Sequence, residues 1–278
     1  MSGESHALRP NLFERVLRGG VILYVVGLVA IPLIGLLIFG LGDGLPAFWA
    51  RITAPVARSA LWLTIWTGLL VGVINAIFGS ATAWVLVRYD LPGRTALSAL
   101  IDLPLAVPTL VAGVMLGILY GPASLIGSAI QVWRIEIIFA KPGIILALLF
   151  VTFPFVVRAV EPVLMEIDPA EEEAATVLGA GPMRIFRTVF FPALLPVALS
   201  GAIRSLGRAI GEFGSIVVVA GNIPLHTLTA PVFIFGEIES GAARTAAAVS
   251  VALLLFAIGM HAIARVIEQR LGARRATG

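Results

Sequence analysis

The chain has 278 residues, of which 59% are hydrophobic and only 13% are charged, and its formal net charge is +3. This composition, gathered into long apolar runs, excludes an ordinary soluble domain and predicts an all-α integral membrane protein. The chain has no cysteine and its three histidines are far apart in sequence, so disulfides, thiolate sites and metal centres are not expected.

Six apolar segments are long enough to cross a membrane as helices. A helix rises about 1.5 Å per residue and a hydrocarbon core is about 30 Å thick, so about 20 residues suffice. The first segment follows a basic stretch, as the core of a secretory signal would. It is too long for such a core and no small-residue cleavage site follows it, so we expect a retained span. The six predicted spans are residues 20–42, 56–87, 95–120, 142–161, 194–221 and 244–267.

Prolines interrupt several of the predicted spans. Pro104 and Pro108, for example, should kink the third one, which membrane proteins tolerate where neighbouring helices or water satisfy the freed carbonyl groups. Residues 121–141 are apolar but too short and too interrupted to form another pair of spans. We expect a helix lying at the outer interface there, anchored by Trp133.

The basic residues predict the orientation of the spans. With both termini in the cytoplasm, 12 of the 19 Lys and Arg residues fall on the cytoplasmic side, five fall outside and two lie within the fifth span. This asymmetry follows the positive-inside rule. The arginines form no patch interleaved with aromatic residues, so we expect no nucleic-acid partner. The apolar spans make membrane lipid the expected surrounding partner. Residues 1–278 are predicted to form a single transmembrane domain.

A carboxylate-rich segment, "IDPAEEEAATVLGAGPMRIFRTVFFP", connects the fourth and fifth spans on the predicted cytoplasmic side. Asp168 is a good N-cap, Pro169 suits the first helical position, and Glu171 completes the form of a capping box. The helix should run to Leu178 and end at Gly179, which readily takes a left-handed conformation.

The second half of this segment predicts another short helix. Pro182 can open it, and it should run through Phe190 before Pro192 leads the chain back to the membrane. Two short helices that meet at a glycine corner are more structure than a plain return loop needs.

The first of these helices has two edges. Ala174, Ala175 and Leu178 form an apolar edge, and Glu172 and Glu173 form a charged one. A helix of this kind can enter a groove on another protein and transmit its movement. A solvated connector with an ordinary acidic cap accounts for the same residues equally well.

Ionisable residues recur every four positions in the fifth span. Arg204, Arg208 and Glu212 should line one face of that helix, about 15, 21 and 27 Å along it from Leu194. Ionised groups at such depth are costly unless they are paired or wetted. An Arg208–Glu212 pair would stabilise the bundle, whereas a free Arg204 or Arg208 would give positive potential to an anion pathway.

Asp102 is the other charge expected inside the membrane. In "LIDLPLAVPTLVAGV" it precedes Pro104, so it should either cap the helix that Pro104 restarts or pair with Arg204 or Arg208. A direct role in binding an anion is not expected, because like charges repel.

The stretch "EAATVLGAGPMRIFRTVFFP" resembles the EAA signature of the inner-membrane permeases of binding-protein-dependent ABC importers. Glu173, Ala174, Ala175 and Gly179 match the signature, and Phe191 replaces the usual leucine. The resemblance implies that residues 168–192 form a cytoplasmic coupling helix seated in a cleft of an ATPase subunit, with Glu173 as a contact. It also implies the type I ABC importer permease fold and a bacterial-type inner membrane.

Two further stretches, "LIDLPLAVPTLVAGV" and "GRAIGEFGSIVVVAGNIPLHTLTAPVFIF", are similar to the sulfate/thiosulfate permeases, and to the CysT-type subunit in particular. Molybdate permeases share some of these elements, so a molybdate or tungstate permease is the alternative. The resemblance implies an alternating-access path shared with a second permease, either CysW-like or a second copy. It also implies two ATPase subunits and a periplasmic sulfate-binding protein.

The chain contains no G-x-x-x-x-G-K-[ST] pattern, and its single lysine, Lys141, lies on the predicted outer side. No cofactor is therefore expected in this chain, and the implied ATP and Mg²⁺ would be bound by the partner ATPase. No nucleophile, base or metal constellation predicts an enzyme. A secondary transporter would be expected to carry a second, symmetry-related set of broken helices, which six spans fit poorly.

Overall fold

A computed structural model describes residues 12–276 of the chain, and these residues form helices and no strand. In chain order the helices are α1 (Leu12–Val25), α2 (Ile31–Leu41), α3 (Leu45–Thr53), α4 (Pro55–Arg88), α5 (Arg94–Ala106), α6 (Thr109–Tyr120), α7 (Leu125–Gln131), α8 (Lys141–Glu166), α9 (Pro169–Val177), α10 (Pro182–Ile185), α11 (Phe191–Ile210), α12 (Gly214–Val219), α13 (Ala230–Glu239) and α14 (Ala243–Ala276). The π-helical segments Val26–Ala30 and Phe186–Phe190 join α1 to α2 and α10 to α11.

The six predicted spans are confirmed as five continuous helices and one broken pair. The pair is α5 and α6, which meet at an angle of 111°. The helices long and apolar enough to cross a membrane are Phe13–Leu41, Pro55–Arg88, Lys141–Glu166, Pro182–Ile210 and Ala243–Val266. The all-α, multi-pass fold class is therefore confirmed.

The break in the third span lies at Pro108 and not at Pro104. Pro104 lies inside α5, which continues to Ala106. Val107 is extended, with φ −77° and ψ 128°, because the ring of a following proline disfavours the helical conformation. Pro108 is then the N-cap of α6.

The predicted boundaries of the fifth span were wrong at both ends. The expected second cytoplasmic helix and the fifth span form one helix, Pro182–Ile210, because the wider π turn at Phe186–Phe190 accommodates Pro192 without ending the helix. The same helix ends at Ile210 instead of continuing to residue 221, since Gly211 is its C-cap.

Several short helices lie in the connections between spans. The outer helix expected within residues 121–141 is α7, which has only seven residues and ends before Trp133. Its N-cap is Ser124, whose side chain accepts a hydrogen bond from the Gly127 N–H at 2.8 Å. Helices α3 and α13 were not predicted, because each is too short to register as a span.

The centre of the bundle is formed by α4, α8 and α11, which approach one another at small residues. A Cβ atom at Gly79 on α4 would lie 2.8 Å from the Cβ of Val156, and one at Gly201 on α11 would lie 3.0 Å from the Val156 Cα. Small residues at helix crossings permit such packing in membrane proteins, where lipid supplies no hydrophobic drive between helices. Helix α8 is thus closely packed against both α4 and α11.

A fully buried polar cluster joins the same three helices. The Asn75 side-chain amide donates to Thr152 Oγ1 at 2.8 Å and to Ser205 Oγ at 2.9 Å. All three residues are buried. Hydrogen bonds between membrane helices of this kind set the register of the helices relative to one another.

Candidate functional site

Asp168 and Gly179 cap the two ends of helix α9 as the sequence predicts, but among the described residues the Glu171 side chain makes no reciprocal capping-box bond. Asp168 Oδ1 accepts a hydrogen bond from the Ala170 N–H at 2.9 Å. At the other end Gly179 has φ +80°, its N–H donates to the Thr176 carbonyl at 2.9 Å, and the Ala180 N–H donates to the Ala175 carbonyl at 3.0 Å. These two bonds form a Schellman motif, in which glycine is favoured at the left-handed position. The helix is thus held in one register at both ends.

The two glutamates of the charged edge have different surroundings. The Glu172 carboxylate forms an ion pair with the Arg88 guanidinium, at the end of α4. Glu173 is exposed, and its side chain makes no hydrogen bond or ion pair within the described residues. Of these two glutamates, Glu172 is thus paired within the fold, whereas the Glu173 carboxylate is free of any partner among the described residues.

The residues of the apolar edge of α9 also differ in their exposure. Ala175 is half-buried and packs against the core formed by α4, α8 and the Pro182–Ile210 helix, whereas Ala174 and Leu178 are exposed. Val177, which the sequence analysis did not single out, is 87% exposed and Leu178 is 85% exposed. The surface that α9 presents to solvent thus combines Glu173 with these apolar side chains.

Aromatic side chains cluster around Arg88, the ion-pair partner of Glu172. Trp84 of α4 meets Phe190 edge-to-face at 4.7 Å and Phe186 at 5.7 Å between ring centroids. The Arg88 guanidinium carbon lies 4.9 Å from the Phe190 centroid and 5.7 Å from the Trp84 centroid, within the range of cation–π attraction. Sequence reasoning missed this arrangement, since Arg88 is 84 residues from Glu172.

Arg204, Arg208 and Glu212 do not form one continuous stripe along a helix. Arg208 Nη1 lies 2.7 Å from Glu212 Oε2, and the Glu212 side chain is 1% exposed. Glu212 Oε1 accepts hydrogen bonds at 2.9 Å from both the N–H and the hydroxyl of Ser215. Both carboxylate oxygens of Glu212 are satisfied, so this residue joins the end of α11 to the start of α12.

Glu212 does not belong to the helix that carries the two arginines. It follows the helix end at Ile210, and its N–H donates to the Ala209 carbonyl. Arg204 and Arg208 lie on the continuous helix at the expected distances of about 15 and 21 Å from Leu194, whereas the expected 27 Å does not apply to Glu212 because the helix ends before it.

The position of Arg204 within the bundle follows from its neighbours. Leu206 packs against Gly68, near the middle of the 34-residue α4, so Arg204 lies deep within the span region. Arg204 is exposed on the surface of this chain, and its Nη2 donates to Ser200 Oγ at 3.1 Å. Within residues 13–266 it has no carboxylate partner, in contrast to Arg208.

Asp102 pairs with a residue that the sequence analysis did not consider. Arg158 on α8 donates from Nε to Asp102 Oδ1 at 2.7 Å and from Nη2 to Oδ2 at 2.6 Å. Arg158 Nη2 also donates to the carbonyl and the hydroxyl of Ser98, and Nη1 pairs with Glu161. Asp102 lies inside α5, so it neither caps a helix nor pairs with Arg204 or Arg208, and both expectations were wrong.

Comparisons with known proteins agree with this architecture. Residues 68–273 match the family described as binding-protein-dependent transport system inner membrane component. The chain is 40% identical over 248 residues to a probable sulfate transport system permease protein, cysT, of Helicosporidium sp. subsp. Simulium jonesii, covering 89% of this chain and 92% of the relative. It is 44% identical over 216 residues to the corresponding protein of Chlorokybus atmophyticus, covering 78% and 76%.

Among solved structures, the fold is similar to a chain of a bacterial ABC transporter involved in the import of the acidic polysaccharide alginate. The TM-score is 0.77 at 17% sequence identity, and the match covers 92% of this chain and 94% of the other. At this identity the likeness concerns the fold alone.

Proposed function

This chain belongs to the family of binding-protein-dependent transport system inner membrane components, and we propose that it is the sulfate permease subunit of an ATP-driven importer. The relatives described above are named for sulfate transport and align over most of the chain, which favours sulfate over molybdate or tungstate. The chain would form half of an alternating-access pathway, paired with a CysW-like subunit or with a second copy.

The observation that carries this proposal is the surface of α9. A helix capped at both ends presents Glu173, which is unpaired among the described residues, beside exposed Val177 and Leu178 on the connection between two membrane spans. An anionic group flanked by apolar side chains fits a groove on a partner protein. We assign residues 168–192 as the coupling segment that docks on an ATPase, which would bind the ATP and Mg²⁺.

The remaining assembly follows from this assignment. Two ATPase subunits would act on the permease pair from the cytoplasm, and a periplasmic binding protein would deliver sulfate to the opposite side. Both termini of the chain would then be cytoplasmic, as the distribution of basic residues favours. Residues 1–278 would act as one transmembrane domain.

Arg204 is the residue that we expect to attract the anion within the pathway. It lies deep in the span region and is exposed, with no carboxylate partner in the part of the chain whose side chains are described, whereas the charge of Arg208 is neutralised by Glu212. Arg204→Gln should lower the initial rate of sulfate uptake about tenfold, because a focused positive potential raises the local anion concentration. The melting temperature should be unchanged, and Arg15→Gln, also exposed, is the matched control. An unchanged uptake rate would contradict the assignment.

Transport by the reconstituted assembly tests the substrate and the energy source together. Vesicles that contain the purified permease pair with its ATPase, supplied with the binding protein, should accumulate labelled sulfate only with hydrolysable ATP. Excess unlabelled sulfate should abolish accumulation, while molybdate should compete poorly. Competition by molybdate at equal concentration would favour the alternative substrate, and accumulation without ATP would contradict the proposed mechanism.

A further inference from the structure

Arg88 occupies a position that neither the EAA signature nor the family description assigns. It is the last residue of α4, where a cation is favoured by the helix dipole. Its guanidinium pairs with Glu172 of α9 and lies over the rings of Phe190 and Trp84. One side chain thus contacts α4, α9 and the Pro182–Ile210 helix.

The contacts of Arg88 lead from an exposed helix into the core. Helix α9 has no buried residue, and within residues 13–266 the Arg88–Glu172 pair is its single ion pair with another helix. Phe190, beneath the guanidinium, is fully buried with Leu86 of α4 and Val160 of α8. Protein interiors are close-packed, so a displacement of Phe190 must move these neighbours.

The backbone connection from α9 to the Pro182–Ile210 helix is less stiff than a continuous helix would be. It passes through Gly179 and Gly181, and glycine has more backbone freedom than any other residue. Ala175 and Ala180 pack against the core beside this corner. The ion pair and the stacking contacts add a direct connection from α9 to α4, which is distant from α9 in sequence.

We propose that Arg88 is the positioning residue that transmits the movement of α9 to α4 and to the Pro182–Ile210 helix, with Glu172 as its internal partner. Adjacent glutamates then have separate roles, since Glu173 faces the ATPase and Glu172 faces the membrane domain. This inference rests on the proposed coupling function. The planar guanidinium suits this role because it pairs with a carboxylate and stacks on aromatic rings at the same time.

The test measures the ratio of sulfate transported to ATP hydrolysed, at equal amounts of assembled complex in vesicles. Misfolding lowers both activities together, whereas a broken connection lowers the ratio. Coupling between sites is typically worth about 5- to 150-fold, so Arg88→Glu and Glu172→Arg should each lower the ratio at least about tenfold. Arg94→Ala, at the exposed first residue of α5, should leave the ratio unchanged.

The double variant Arg88→Glu/Glu172→Arg should recover the ratio to within about fivefold of wild type. Recovery is incomplete because the exchanged pair lacks the cation–π contact, worth about two- to fivefold. The proposal is overturned if the single variants keep the wild-type ratio, or if the double variant is no better than the worse single one. Two further measurements separate this proposal from the proposed function, namely sulfate transport by the wild type and its loss in Glu173→Arg. If both are observed, an overturning result rejects only the role of Arg88 and leaves the proposed function intact.

Discussion

Glu173→Arg should abolish ATP-driven sulfate uptake while the protein still inserts into the membrane at the wild-type level. Glu173 is exposed and makes no contact that the fold needs, so its replacement has little effect on folding. If Glu173 meets a cationic group of the ATPase, as the proposal expects, reversal of its charge places like charges together, which typically costs several kcal/mol. The measurement is uptake by reconstituted vesicles together with co-purification of the ATPase.

Glu171→Arg is the matched control for this experiment. Glu171 is also exposed, lies on the same helix, and is two positions away, so it points to a different side. The control should retain most of its uptake. Normal uptake by the Glu173→Arg protein would reject the coupling role of this residue.

Arg208→Gln should reduce the amount of folded protein, which is a different outcome from that of Arg204→Gln. The Glu212 carboxylate is 1% exposed and pairs with Arg208 at 2.7 Å. Removing the partner of a buried carboxylate is destabilising, because the remaining charge loses its counter-ion. The expected result is a large drop in melting temperature in detergent and poor recovery from the membrane.

The double variant Arg208→Gln/Glu212→Gln distinguishes pairing from transport. Removing both charges eliminates the unpaired carboxylate, while a glutamine at position 212 can still accept from Ser215. Stability should therefore return toward wild type. A stable Arg208→Gln protein with a specific loss of anion transport would show instead that Arg208 serves the pathway and that the pair is not structural.

The features predicted best from sequence were those with local causes. The caps of α9 at Asp168 and Gly179 are encoded by residues in direct contact along the chain, and the structure has both. The six spans were likewise found, because continuous apolar length is a strong signal. The end of the fifth span was not, since the glycine at position 211 resembles many others that membrane helices tolerate.

The features that sequence analysis missed depend on contacts between distant residues. Asp102 pairs with Arg158, which is 56 residues away, and Glu172 pairs with Arg88, which is 84 residues away. A motif identifies Glu172 and Glu173 as neighbours but does not show which of them faces the membrane domain. That distinction requires the position of α4, which only the folded chain provides.

Site-specific cross-linking tests the docking of α9 most directly, because the chain contains no cysteine of its own. Leu178→Cys, on the exposed surface of the coupling segment, should cross-link to the ATPase subunit in vesicles that are actively transporting sulfate. Leu125→Cys, equally exposed on the predicted outer side, should not. An active assembly in which position 178 reacts only with soluble reagents, and never with a nucleotide-hydrolysing partner, would contradict the coupling role of α9.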